Sequence, residues 1–170
     1  MIDAAIPKAA ALVEALSYIQ RFHDKVVVVK VGGSLMDDEA ALATLLADIV
    51  FMNYVGMQPV LVHGGGKRIT EWLERLGVPS KFEGGLRVTD AQSLEVAAAV
   101  LRGVVNSELV SGLRDLGVDA VGLSGVDGGL LIAERIPHLG LVASVVGLRR
   151  DLLDAVLVGG QVPVVAPLAR

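Results

Sequence analysis

The chain has 170 residues, 53% of them hydrophobic and 20% charged, with 20 glycines, 4% aromatics and no cysteine; that length and composition suit one α/β domain with a real core and argue against disorder. A formal charge of −4 offers no basic footprint for nucleic acid, and the missing cysteines exclude disulfides and thiolate metal sites. No unbroken apolar run approaches the ~18 residues of a membrane span, and the N-terminus lacks a signal-peptide layout, so a cytoplasmic domain that meets neither membrane nor nucleic acid is expected.

In chain order, Ala9–His23 reads as a helix with Leu12, Leu16 and Ile19 on one face. Val26–Val31 is a strand whose unbroken apolar run predicts burial on both faces, as in a parallel sheet. Asp37 and Asp38 can cap a helix carrying Leu42, Leu45, Leu46, Ile49 and Val50 and ending near Gly56. Pro59–Val62 is a second strand, and Gly64, Gly65 and Gly66 open a helix to about Leu76. Thr89 and Gln92 form a T-x-x-Q capping box for a long helical region to about Leu116, which Gly103 can break. Ala120–Leu123 is a third strand. Leu130–Arg135 and Leu141–Val146 pair as a hairpin across the turn from Pro137 to Gly140. Asp151–Leu157 is the last helix and Val162–Ala166 the last strand. Strands alternating with helices predict a mainly parallel sheet covered on both faces. Only four residues follow the last strand, where an α/β fold would begin a functional loop, so a fragment is expected.

Two strand–glycine–helix junctions carry the chemistry: VVVVKVGGS, from Val26 to Ser34, and PVLVHGGGKRITEWL, from Pro59 to Leu73. Glycines at such a junction let backbone N–H groups approach an oxyanion. Neither junction is a Walker A or a dinucleotide fingerprint. A single glycine pair is often only a tight turn, but two junctions on successive strands favour anion binding. Lys30 alone would be a strand-end lysine reaching for water. Beside Gly32 and Gly33 it joins a compact cation to bare amides, which is what phosphoryl transfer requires. His63 could act as a base, yet an acceptor that is already an anion needs none, and a structural role is favoured. Lys67 and Arg68 read as solvated charges. Arg87, in GLRVT, is either a surface arginine or a bidentate fork for a carboxylate. Asp127, in a glycine-rich turn, reads as a turn residue rather than a metal ligand.

Taken in order, KVGGS, VHGGG, GLRVT and GLSGVDGGLL resemble the amino acid kinase family over about Leu12 to Pro167. Within that family, HGGG followed by GLRVT resembles the branch that phosphorylates the γ-carboxylate of N-acetyl-L-glutamate with MgATP in arginine biosynthesis. The resemblance implies a three-layer α/β/α sandwich, with ATP as phosphoryl donor and Mg2+ carried on it. It implies that Lys30 stabilises charge on the transferring group, and that Gly32, Gly33 and Gly64 border the ATP phosphates. By the same resemblance Gly65 and Gly66 contact the acceptor, and Arg87 clasps its α-carboxylate. No residue of the chain is implied as a metal ligand. The helix LVEALSYIQRF looks like the extension that links dimers into hexamers in arginine-inhibited members, so a homodimer or hexamer and arginine feedback are expected.

The family's second catalytic lysine, its organising aspartate, a substrate-binding asparagine and the adenine pocket fall beyond Arg170. Residues 1–170 are therefore expected to be the N-terminal, acyl-amino-acid-binding and dimerisation portion of such a kinase, with negligible phosphoryl transfer alone. Val104 stands two residues before Asn106, where the family often has lysine. The alternatives are a kinase for a related acyl amino acid, such as an aminoadipate derivative, and a non-catalytic domain that binds arginine or mediates oligomers. Lys30 argues against the last.

Overall fold

The structure, a computed structural model, describes residues 2–170. The chain runs α1 (Ile2–Phe22), β1 (Val26–Val31), α2 (Gly33–Met36), α3 (Glu39–Tyr54), β2 (Gln58–His63), α4 (Gly66–Arg75), β3 (Lys81–Glu83), β4 (Leu86–Val88) and α5 (Ala91–Ala98). A π-helical segment, Ala99–Val105, leads into α6 (Asn106–Asp115), followed by β5 (Ala120–Ser124), β6 (Leu131–Arg135), β7 (Ala143–Leu148), α7 (Asp151–Val158) and β8 (Val162–Ala166).

Four strands form a parallel sheet in the order β1-β2-β8-β5. On one face α3, α4, α5 and α6 close a core around Leu61, Val164, Ile49, Leu73 and Leu113. On the other, α7 and the turn after β5 close a smaller one around Val60, Leu123, Leu153 and Val165. The result is the expected three-layer α/β/α sandwich. Each fully buried aliphatic side chain contributes about 1.5–3 kcal/mol, so the long run of them in β2 and β8 anchors the sheet centre.

Several sequence expectations change. Strand β1 is covered on one face only: Val29 and Val31 pack into the larger core, whereas Val26 and Val28 are 41% and 64% exposed, and Lys30 shares their side. The cause is position, because β1 lies at the sheet edge and α7 sits over β8 rather than reaching it. Helix α1 presents Leu12, Val13 and Leu16 to solvent instead of to a core. The cap of α5 is Asp90, whose carboxylate accepts from Ser93 N–H at 2.7 Å, and not Thr89. The helix does not break at Gly103; it widens through the π segment and continues. The stretch Ala91–Asp115 is long and apolar enough by composition to cross a membrane, with a mean hydropathy of 1.3. Here Val100, Leu101, Val105, Leu109 and Leu113 spend that apolarity on the sheet.

Candidate phosphate and carboxylate site

A parallel sheet delivers the C-terminal ends of its strands to one edge. The register pairs Lys30 with Val62 and Val31 with His63, so the two glycine loops leave the sheet side by side. Gly64 N–H donates to Val31 O at 3.0 Å and extends the ladder by one step. Lys30 bends over its own loop: a Cβ placed on Gly32 would lie 3.7 Å from Lys30 Nζ. The cation and the bare backbone therefore meet. Gly33 and Gly66 face open space, with no heavy atom within 4 Å of a hypothetical Cβ. Neither glycine is needed for packing. Gly65 differs, since a Cβ there would press to 2.7 Å from Leu101 Cδ2 of the π segment. The amide of Gly65 precedes α4, and the first amides of a helix have no intrahelical acceptor, so the loop presents donors to an anion.

The third component comes from a hairpin that the sequence reading did not foresee. Strands β3 and β4 pair antiparallel, with Phe82 opposite Arg87, around Gly84 and Gly85 at φ +56 and +81. Positive φ at both turn positions is the two-residue hairpin geometry that glycine serves best. The Glu-Gly-Gly-Leu sequence was the available signal. The Arg87 guanidinium stacks on the Phe82 ring, 4.6 Å from its centroid. Its Nη1 donates to Ser80 Oγ at 2.5 Å, and its Nη2 to Thr70 Oγ1 at 2.6 Å and Gly66 O at 3.2 Å. Burial lowers the pKa of Arg87 from its ordinary value, yet guanidinium stays charged at any working pH. Arg87 is thus a half-buried cation held against the glycine loop. Thr70, Ser80 and Phe82, which hold it, carry no signature of their own.

His63 is 1% exposed and bonded to Gly64 O and Asn106. The neighbouring cations are engaged elsewhere: Lys67 with Asp37 at 3.0 Å and Arg68 with Glu108 at 3.0 Å. Burial alone would raise the Asp127 carboxyl, but the N–H and hydroxyl of Ser124 and the Arg102 guanidinium hold it below its usual range. Its ion pair to Arg102 is 2.9 Å. Asp127 is a turn residue bound by its own turn, as expected. A cleft of about 460 Å3 opens between α5 and the β6–β7 hairpin, lined by Thr89, Leu94, Leu101, Leu131 and Arg135 among others. Leu101 lines this cleft and also packs against the Gly65 loop.

Residues 25–170 match the amino acid kinase family. Acetylglutamate kinase from Thermoanaerobacter pseudethanolicus is 46% identical over 165 residues, covering 95% of this chain and 55% of the relative. Acetylglutamate kinase from Syntrophomonas wolfei is 44% identical over 171 residues, 99% of this chain and 60% of the relative. The chain thus spans a little over half the length of these relatives. Among solved structures, the N-acetylglutamate synthase of Neisseria gonorrhoeae, complexed with coenzyme A and N-acetyl-glutamate, superposes with a TM-score of 0.77 at 26% identity. That match covers 95% of this chain and 38% of the synthase chain.

Proposed function

The chain belongs to the amino acid kinase family, and on that premise we propose that it is the acyl-amino-acid-binding portion of an acetylglutamate kinase. The observation that carries the reading is the convergence of Lys30 Nζ on Gly32, beside a second glycine loop braced by Arg87. In this reading Arg87 binds the α-carboxylate of N-acetyl-L-glutamate, and the amides of Gly65 and Gly66 face its γ-carboxylate. Lys30, with the amides of Gly32, Gly33 and Gly64, neutralises and positions phosphate oxygens, which is where most of the catalysis in phosphoryl transfer lies. The acceptor is already an anion, so no general base is required, consistent with a buried His63 whose pKa is lowered.

ATP supplies the phosphoryl group when bound. The open backbone at Gly33 suits its phosphate oxygens, and that at Gly66 the acceptor's carboxylate. Mg2+ enters this reading, by resemblance, as the ion that ATP carries. By resemblance, the second lysine, the aspartate and the adenine pocket belong to the length of the relatives that this chain does not span. A cytoplasmic location, arginine feedback, and a dimer or hexamer joined through α1 belong to the same reading. The exposed Leu12, Val13 and Leu16 support such self-association.

Calorimetry on the 170-residue chain tests this. N-acetyl-L-glutamate is expected to bind, Arg87→Ala to bind it at least ~10-fold more weakly, and hydroxamate trapping to detect negligible acyl phosphate. Tighter binding of N-acetyl-L-2-aminoadipate would move the assignment to that acceptor. Binding of arginine alone would favour a non-catalytic domain.

A further inference from the structure

The peptide joining Gly64 to Gly65 is oriented by a buried side chain that the proposed chemistry does not use. His63 Nδ1 lies 2.8 Å from Gly64 O. A carbonyl only accepts, so Nδ1 carries the proton and Nε2 the lone pair. That lone pair meets Asn106 Nδ2 at 3.1 Å; Nδ2 also donates to Val164 O at 2.9 Å, and Leu123 O, at 3.4 Å, is the most distant of its three acceptors. The chain of bonds runs one way: the Asn106 amide donates to His63, and His63 donates to Gly64. A protonated Nε2 would oppose the asparagine's own N–H, and burial lowers the imidazole pKa, with the bond to Gly64 opposing in part. His63 and Asn106 are 1% and 4% exposed, so bulk water does not compete. The neighbours are shaped for the pair, since a Cβ on Gly122 would collide with Asn106 Oδ1. Asn106 follows directly on the π segment, whose widened turn sets its direction.

A trans peptide sends its C=O and its N–H to opposite sides. With Gly64 O turned to the imidazole, Gly65 N–H points away from it, out of the loop. Among the described residues that amide donates to no backbone carbonyl outside regular elements. We propose that His63 and Asn106 are a positioning pair: Asn106 fixes the tautomer and plane of His63, and His63 turns the Gly64–Gly65 peptide so that the Gly65 amide donates to an anionic oxygen of a bound carboxylate or phosphate. The identity of that anion rests on the function proposed above; the aim of the amide does not. A buried histidine that merely filled space would tolerate any replacement of equal volume. This one depends on which ring nitrogen is kept.

The test uses the 170-residue chain labelled with 15N. Long-range proton–nitrogen spectra of His63 are expected to show a protonated Nδ1 and a bare Nε2; the opposite tautomer overturns the pair. His63→Asn keeps a donor near Nδ1, whereas His63→Gln keeps an acceptor near Nε2. Affinity for N-acetyl-L-glutamate is expected to fall ~10-fold or more in His63→Gln and to stay within ~3-fold in His63→Asn. The Gly65 amide resonance should move only in His63→Gln, though both variants lose thermal stability. Equal effects in the two variants overturn the pair. Should the variants not fold, the wild-type tautomer still decides. If wild-type chain binds no N-acetyl-L-glutamate, the proposed function fails. Titration with inorganic pyrophosphate then tests the pair separately, and an unmoved Gly65 amide overturns it.

Discussion

Arg87 Nη2 stands 2.6 Å from Thr70 Oγ1, and that hydroxyl gives its own proton to Gly66 O at 3.0 Å. One threonine thereby couples the β3–β4 hairpin to the first turn of α4. Thr70→Val keeps the shape and removes the acceptor, so the Arg87 fork loses one of its anchors. Affinity for N-acetyl-L-glutamate should fall by roughly 3- to 10-fold, in line with about 0.5–1.5 kcal/mol for one hydrogen bond. Calorimetry reads the change, and unaltered affinity would detach Arg87 from the acceptor.

Gly33 and Gly66 separate function from folding. Neither has a positive φ nor a neighbour that a methyl group would meet, and both begin helices. Alanine at Gly66 should leave stability unchanged or raise it by up to about 1 kcal/mol. It should also block the close approach of a ligand and reduce binding at least ~10-fold. Thermal melts beside titrations provide the check; a destabilised Gly66→Ala variant with normal binding would contradict the assignment.

Lys30 lies on the exposed face of β1 and makes no ion pair among the described residues. Lys30→Met should therefore shift stability by no more than ~0.5 kcal/mol. Affinity for ATP or tripolyphosphate should drop ~10-fold or more, and its salt dependence should flatten, because a point charge beside the phosphates is lost. Equal affinity in both proteins across a salt series would remove Lys30 from the site.

Acid should destabilise the fold in two windows. The His63 pKa is lowered by burial, its bond to Gly64 opposing only in part. Below about 6.5, the ordinary histidine value, the unfolded chain binds more protons than the native one, and stability falls as pH falls. The stability gap between wild type and His63→Gln should narrow from about pH 7.5 to about pH 5.5. Asp127 is held below its usual range despite burial, so its contribution is present above ~4 and is lost only below that. Denaturant melts across pH resolve the two, and a constant gap would mean that His63 titrates alike in both states.

The sequence disclosed what repeated apolar runs and glycine punctuation can disclose. Val162–Ala166 is predicted to the residue, because a short apolar run between turns has few other uses. Lys30 with its glycines was also readable, since the residues that meet are adjacent in the chain. The open face of β1 was not. A run of valines reports apolarity but not which neighbours arrive to cover it. The β3–β4 hairpin escaped because its three-residue strands are mostly exposed and carry Lys81, Glu83 and Arg87, with no alternation to read. Thr89 and Asp90 are adjacent cap formers, and only the backbone decides between them. His63 was legible as structural, but its partner Asn106 lies 43 residues away, beyond any local pattern.

Leu101, Val105, Leu109 and Leu113 all turn inward at steps of four, each of which overshoots a full turn of an ordinary helix by roughly 40°. The π segment absorbs part of that overshoot, and it behaves as one extra residue stitched into the helix. Deleting a single residue between Ala99 and Val105 would let the wide turn relax to ordinary α-helix, with Asn106, Leu109 and Leu113 keeping their inward aim. Deleting one between Ser107 and Gly112, where the helix holds no such slack, would turn Leu113 by roughly 100° and out of the core. The helix can lose a residue at its widened turn and not in the turns that follow.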